Sequence, residues 1–462
     1  MAATESVDVS QVMDEQPISR FQIKVIVLCA AALFMDGFDV TSMGYVAPGL
    51  AKLWHLKPGV LGPVFAAGLI GLMIGALVFS PLSDRLGRKG VIAISAVLFG
   101  AFSLLTPTAH NLMQLFWLRF ATGLGLGGAM PNAIALTSEF LPKRLRSTLT
   151  VVMFFGFSLG SGLGGLIAAL LIRSYGWKAV FWFGGAIPLI LVPVLLVALP
   201  ESIRVLTVRG NAGDQVAALL NRINPALRYD PAKTRFITAD ERAGPGFPVK
   251  LLFSDGRAVV TVLFWVMFFV NLLELYFLAN WLPTVARNAG LSVQQALVAT
   301  GLIHIGGIFG TLTLGRLMDK VNPYVVLAVA YAAGGIFVAG IGLSTAAATP
   351  LMTVTFCAGF CIVGAQISAN ALAANYYPTV MRSTGVGWAL GVGRVGSIVG
   401  PVVGGLIIGM QWATPTVFAT AATPTILATV AVLIMGRLIH ASERHAATAV
   451  TLDMPVAVAK TE

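Results

Sequence analysis

SPLSDRLGRK, Ser80–Lys89, stands between two apolar runs, each long enough to cross a bilayer as a helix. It reads as a short turn: Gly87 lets the chain bend, Asp84 ends the preceding helix, and Arg85, Arg88 and Lys89 form a basic cluster. A weaker echo, LGRLMDKVN, occupies Leu314–Asn322, with Asp319 corresponding to Asp84. EFLPKRLRST (Glu139–Thr148) is matched by NYYPTVMRST (Asn375–Thr384) in a single register, Pro142 against Pro378 and Arg146 against Arg382. The match continues in that register through Gly160-Ser161 and Gly396-Ser397 to Gly164 and Gly400. The chain is therefore an internal duplication. Two parallel repeats predict a substrate site at the midplane between them and a rocking motion for alternating access.

Of the 462 residues, 57% are hydrophobic and 11% charged, and the mean hydropathy is +0.86. That is too little charge to cover a soluble protein of this size. The pattern predicts an all-α membrane protein of twelve transmembrane helices, at roughly 22–50, 58–82, 90–108, 112–137, 147–172, 178–199, 258–285, 295–317, 323–345, 350–374, 384–409 and 413–437. Domain boundaries follow: a tail at 1–21, a six-helix bundle at 22–199, a polar loop at 200–257, a second six-helix bundle at 258–437 and a tail at 438–462. With the N-terminus cytoplasmic, 23 of the 30 Lys and Arg lie on the cytoplasmic side. Five (Lys52, Lys57, Arg173, Lys178, Arg287) face the other way, and Arg119 and Arg394 lie inside spans. Both termini are thus expected in the cytoplasm, and the net charge of +11 is a topology signal, with no nucleic-acid partner implied. Cys29, Cys357 and Cys361 read as free packed thiols without metal spacing. The segment from Met1 to Arg20 lacks the features of a cleaved signal, so the first helix is expected to remain a span.

Ionisable residues inside spans are costly and mark function. Asp36 and Asp39 share one face of the first span at i and i+3. Two such acids need a wet cavity, a cation or a proton, and their closeness favours protonation of one. Glu274 in span seven joins them as a proton-coupling candidate, and Arg119 in span four is a further charge, either functional or satisfied by carbonyls near a helix end. Arg394, in the glycine-rich stretch LGVGRVGSIVGP (Leu390–Pro401), replaces Ser158 of the first repeat and suits bidentate capture of a carboxylate. The competing reading for Arg394 is an internal salt bridge to Asp36 or Asp39. Phe38, Tyr45, Tyr276, Trp281 and Trp388, with Asn271, are expected to wall a site for a flat ring. His304 in span eight reads as a packed polar residue or a proton relay. Gly123, Gly125 and Gly128 spell G-x-G-x-x-G, but no strand precedes them, so helix packing explains them better than a dinucleotide.

DRLGRKG (Asp84–Gly90) resembles the signature loop of the major facilitator superfamily. That resemblance implies a cytoplasmic gate of Asp84, Gly87 and Arg88, with Glu139, Arg146, Asp319 and Arg382 as further gate positions. LRFATGLGLGGAMPN (Leu118–Asn132) is similar to the fourth-helix motif, and LPESIR (Leu199–Arg204) to a string of the sugar and organic-ion branches. The fifth helix lacks the Gly-Pro pair of drug antiporters. DGFDVTSMGYVAP (Asp36–Pro48), NLLELYFLANWLPT (Asn271–Thr284) and RSTGVGWALGVGRVGSIVGP (Arg382–Pro401) resemble the aromatic acid:H⁺ symporter family, typified by bacterial 4-hydroxybenzoate/protocatechuate transporters.

Taken together, the residues and the resemblance predict a multi-pass carrier of the bacterial inner membrane. It would import benzoate-type aromatic acids with protons, work as a monomer and use no cofactor or metal. Phenylpropanoates, muconate-like diacids and heterocyclic carboxylates are alternative substrates. No clustered nucleophile or metal set supports an enzyme, and the central loop offers no recognisable signalling domain.

Overall fold

A backbone that crosses lipid must satisfy its own N–H and C=O groups, and a helix does so within one segment. The computed structural model describes residues 5–209, 212–225, 227, 229, 234–237, 249–254, 256–345, 347–378 and 381–452. A strand β1 (Glu5–Asp8) and a short α1 (Val9–Glu15) lead into α2 (Arg20–Leu53). Next come α3 (Gly62–Leu86), α4 (Arg88–Leu105), α5 (Leu112–Leu126), α6 (Ala129–Glu139), α7 (Lys143–Tyr175) and α8 (Lys178–Ala198). The central segment carries α9 (Ile203–Arg209), α10 (Gly213–Ile223) and β2 (Thr234–Ile237). The second repeat supplies α11 (Ala258–Asn288), α12 (Val293–Met318), α13 (Pro323–Ser344), α14 (Ala348–Tyr376), α15 (Arg382–Gly409), α16 (Thr414–Ala421) and α17 (Thr423–Leu452). Among the described residues, ten helical stretches are long and apolar enough to cross a membrane.

Four expectations are refined. The span expected at 112–137 is two helices, α5 and α6, parted at Gly127–Gly128, where paired glycines weaken the helix. The span expected at 413–437 is also two, with a break at Ala422 just before Thr423-Pro424. The expected tail at 438–462 continues α17 as far as Leu452. The molecule is not purely α-helical: β1 pairs in parallel with β2, Glu5 opposite Thr234. This ties the N-terminal arm to the central segment. Val9, Val12 and Met13 of α1 share a core with Ile203, Leu206, Val216 and Leu220, and Asp14 ion-pairs with Lys143 at 3.3 Å.

Packing repeats the sequence duplication. In the first half α2 packs on α7, α3 on α5 and α4 on α8; in the second α11 packs on α15, α12 on α14 and α13 on α17. The contact points correspond. A side chain at Gly160 would strike the Phe34 carbonyl, and one at Gly396 would strike the Phe269 carbonyl. The halves meet through α7 against α12, α3 against α15 and α2 against α11. These meetings are tight at the end remote from Asp84: Gly44 lies on Ala279, Gly62 on Pro401 and Gly165 on Leu297. At the Asp84 end, the start of α7 and the ends of α12 and α14 are separated by a cavity of about 880 Å³. The structure is therefore closed at one end and parted at the other.

Gly396→Val is expected to destabilise the fold by about 1–3 kcal/mol through overpacking. Gly391→Ala, on the same helix with nothing within 4 Å, should leave the unfolding midpoint in detergent unchanged or slightly raised. Equal effects of the two substitutions on that midpoint would contradict the packing.

Candidate transport site

The capping box of Ser19 and Gln22 starts α2, a helix about 50 Å long that carries both acids into the interior. Asp36 is 1% exposed and Asp39 fully buried, yet they have different partners. Arg119 of α5 grips Asp39 with both prongs: Nη2 donates to Oδ2 at 2.8 Å and Nη1 to Oδ1 at 3.2 Å. Nη2 also reaches the Asp39 carbonyl at 3.4 Å, and the Ser103 hydroxyl donates to Oδ1 at 3.5 Å. The guanidinium carbon lies 5.5 Å from the centre of the Phe181 ring, a cation–π contact that shields the pair. Beside the pair, a cavity of about 20 Å³ bounded by Gly68, Phe65 and Asn280 of α11 has room for one water.

Both Asp36 oxygens are buried without a hydrogen-bond partner among the described residues. The charge they face is Arg394, across the interface on α15. Arg394 makes no ion pair among the described residues; Nη2 approaches the Met130 sulfur at 3.7 Å, and the Tyr276 hydroxyl lies beside the guanidinium. The salt bridge from Arg394 to Asp39 considered from sequence is therefore not formed, because Arg119 already occupies that carboxylate. Asp36 and Arg394 thus act on one another electrostatically from opposite halves, with no direct ion pair among the described residues.

Of the aromatic residues expected to wall the site, Tyr276 lies next to Arg394. Residues two apart on a helix face nearly opposite ways, so Phe38 turns away from Asp36. Its ring is fully buried edge-on against Phe183, with ring centres 5.2 Å apart. The Tyr45 hydroxyl donates to the Ser161 carbonyl. Trp281 donates from Nε1 to the Pro401 carbonyl at 2.8 Å and meets Phe65 edge-on, sealing α11 to α3 and α15. Trp388 is 42% exposed and stacks on Trp265. Asn271 donates to the Ile362 carbonyl at 3.2 Å, and buried Glu274 has Tyr331 as its charge-sensitive neighbour. Asn271 and Glu274 thus belong to the interior of the second half, where Glu274 Oε1 and His304 Nε2 have no hydrogen-bond partner.

The expected gate residues form local fastenings. Arg88 Nε pairs with Glu139 Oε1 at 2.9 Å, and the Ser202 hydroxyl donates to the other Glu139 oxygen. Burial raises the Glu139 pKa, against the pull of Arg88, Ser202 and Arg204. Glu201 accepts from the backbone N–H groups of Lys89 and Ser202 at 3.3 and 2.8 Å. Gly87 has φ +92°, and a side chain there would also collide with the Glu201 carboxylate. Arg146 reaches back to the Leu141 carbonyl at 3.3 Å, and Arg382 to the Tyr377 carbonyl at 3.4 Å, the same bond in both repeats. Asp319 lines the cavity at the parted end. Asp84 ends near the C-terminus of α3, and its side chain lies outside the described residues. Reading the sequence missed Ser103 and Phe181, which lie far along the chain from Asp39 with no local pattern to point to them.

Two duplicated helical halves around opposed buried charges define a secondary transporter of alternating access. The pattern of the Major Facilitator Superfamily matches residues 29–389. The chain is 42% identical over 430 residues to a gallate transporter of Pseudomonas putida, covering 93% of this chain and 95% of the relative. It is 41% identical over 438 residues to the 4-hydroxybenzoate transporter PcaK of the same organism, covering 95% and 97%. The fold superposes on the xylose transporter XylE from E. coli in a partially occluded inward-open conformation, with TM-score 0.68 at 16% identity over 89% of this chain and 97% of that one. The chain belongs to the major facilitator superfamily, in its aromatic acid:H⁺ symporter family.

Leaving either Asp39 or Arg119 buried alone is expected to cost about 3–5 kcal/mol. Arg119→Leu should therefore lower the unfolding midpoint more than Asp39→Leu/Arg119→Leu does. A double variant less stable than Arg119→Leu would disprove the pairing.

Proposed function

We propose that this chain is a proton-coupled importer of benzoate-type aromatic acids such as 4-hydroxybenzoate or protocatechuate, resident in the bacterial inner membrane. Twelve spans in two six-helix bundles, 22–199 and 258–437, carry the alternating access, with both termini and the 200–257 loop cytoplasmic; the protein works as a monomer. The observation that carries this reading is the pair of Asp36 and Arg394, facing across the two halves without a shared hydrogen bond. The gallate and 4-hydroxybenzoate transporters, alike to this chain over nearly their whole length, support the substrate class.

In the empty carrier, Asp36 balances Arg394. An arriving carboxylate takes the guanidinium through paired charge-assisted hydrogen bonds, while Tyr276 supplies a ring and a hydroxyl beside it. Two carboxylates facing one guanidinium repel, so Asp36 takes up a proton as the substrate binds. One proton and one anion enter together, and the loaded site has the same net charge as the empty one. The halves then rock about the site and release both ligands at the opposite face. Asp39 stays with Arg119, and the cavity beside them has room for one water. Asp84, Arg88, Glu139, Arg146, Asp319 and Arg382 hold the cytoplasmic ends of the helices in each half as they move.

Losing a charged hydrogen-bond donor costs about 1.5–3 kcal/mol, so Arg394→Ala should weaken 4-hydroxybenzoate binding about 10- to 100-fold. Asp36→Asn should retain counterflow in proteoliposomes but lose accumulation driven by a pH gradient. Full proton-driven accumulation by Asp36→Asn would exclude this mechanism. Competition with a phenylpropanoate and a heterocyclic carboxylate tests the width of the substrate class.

A further inference from the structure

The cavity of about 880 Å³ at the parted end is lined by α7 from the first half and by α12, α13, α14 and α17 from the second. Its size is that of a small-molecule pocket. Three rings, Phe155, Tyr324 and Tyr376, line it together with Arg316, which is exposed and makes no ion pair among the described residues. Ser368 lines it too; this residue is 4% exposed, and its hydroxyl has no hydrogen-bond partner among the described residues. A buried hydroxyl without a partner calls for a ligand or water to satisfy it. Asp319 and Asn375 add acceptors to the same wall.

We propose that this cavity is a second binding site for an aromatic carboxylate, entered from the end that carries Asp319. Arg316 takes the carboxylate, the rings of Phe155, Tyr324 and Tyr376 flank the aromatic ring, and Ser368, Asp319 or Asn375 meets a ring hydroxyl. The site joins the two halves only while they are parted. To close this end, the start of α7 must approach the ends of α12 and α14, and a bound acid prevents it. The site therefore acts as a brake: accumulated acid on the release side holds the carrier open there and slows the next cycle. The identity of the ligand and the braking action rest on the function proposed above; the location of the site does not.

The test is equilibrium binding of 4-hydroxybenzoate to the full-length protein in nanodiscs, together with proteoliposome uptake against rising internal 4-hydroxybenzoate. Two classes of site are expected. Arg394→Ala should remove one; Arg316→Ala, and independently Ser368→Val, should weaken the other at least tenfold and relieve inhibition from the release side. A single class that disappears in Arg394→Ala and is untouched by Arg316→Ala and Ser368→Val overturns the second site. So does binding seen in detergent but lost in nanodiscs, which would assign the cavity to lipid. Absence of any 4-hydroxybenzoate binding defeats the substrate class along with this site, whereas loss of the Arg316 class alone leaves the transport site standing.

Discussion

Arg119 has to be neutralised where it lies, because a guanidinium buried among apolar helices is tolerable only with a partner. Asp39 meets that need with both carboxylate oxygens and its own carbonyl, and much else follows. The bond fixes α2 against α5, with Ser103 of α4 and Phe181 of α8 closing round it. It also removes Asp39 from the neighbourhood of Arg394. Asp36, one helical turn earlier, is left to Arg394 of the opposite half.

The duplication supplies a scaffold on which this asymmetry stands out. Helix pairs, glycine contacts and the backward reach of Arg146 and Arg382 to a carbonyl recur at corresponding places. Each arginine secures a free carbonyl at the end of one helix from the first turn of the next, so the connection behaves as a fixed corner. Arg394 departs from the duplication: it stands where the first half has Ser158. In the proposed cycle, what the halves share would support movement, and what differs between them would select the cargo.

Much of this was legible in the chain. The apolar runs, the internal repeat and the positions of Asp36, Asp39, Arg119 and Arg394 all follow from local pattern, because helices in lipid obey length and charge rules strictly. The pairing of Arg119 with Asp39 did not, since it depends on how α5 lies across α2, a tertiary fact. The direction of each aromatic ring is not legible for the same reason. Phe38, Tyr45 and Trp281 share spans with the charges but face helix contacts, and composition alone does not tell which way a ring on a helix points. The breaks at Gly127–Gly128 and Ala422 escaped because hydropathy runs smoothly through both.

The placement of Asp36 and Arg394 on opposite halves also bears on leakage. A proton arriving without its companion would silence Asp36 and leave a bare guanidinium at the interface. The halves would then have to close over an unbalanced cation in a poorly polarisable surround, at a steep electrostatic penalty. An anion arriving alone leaves the opposite surplus. On the proposed mechanism, both single-ligand crossings would thus be discouraged by the same pair of residues, and dissipation of the proton gradient would be suppressed.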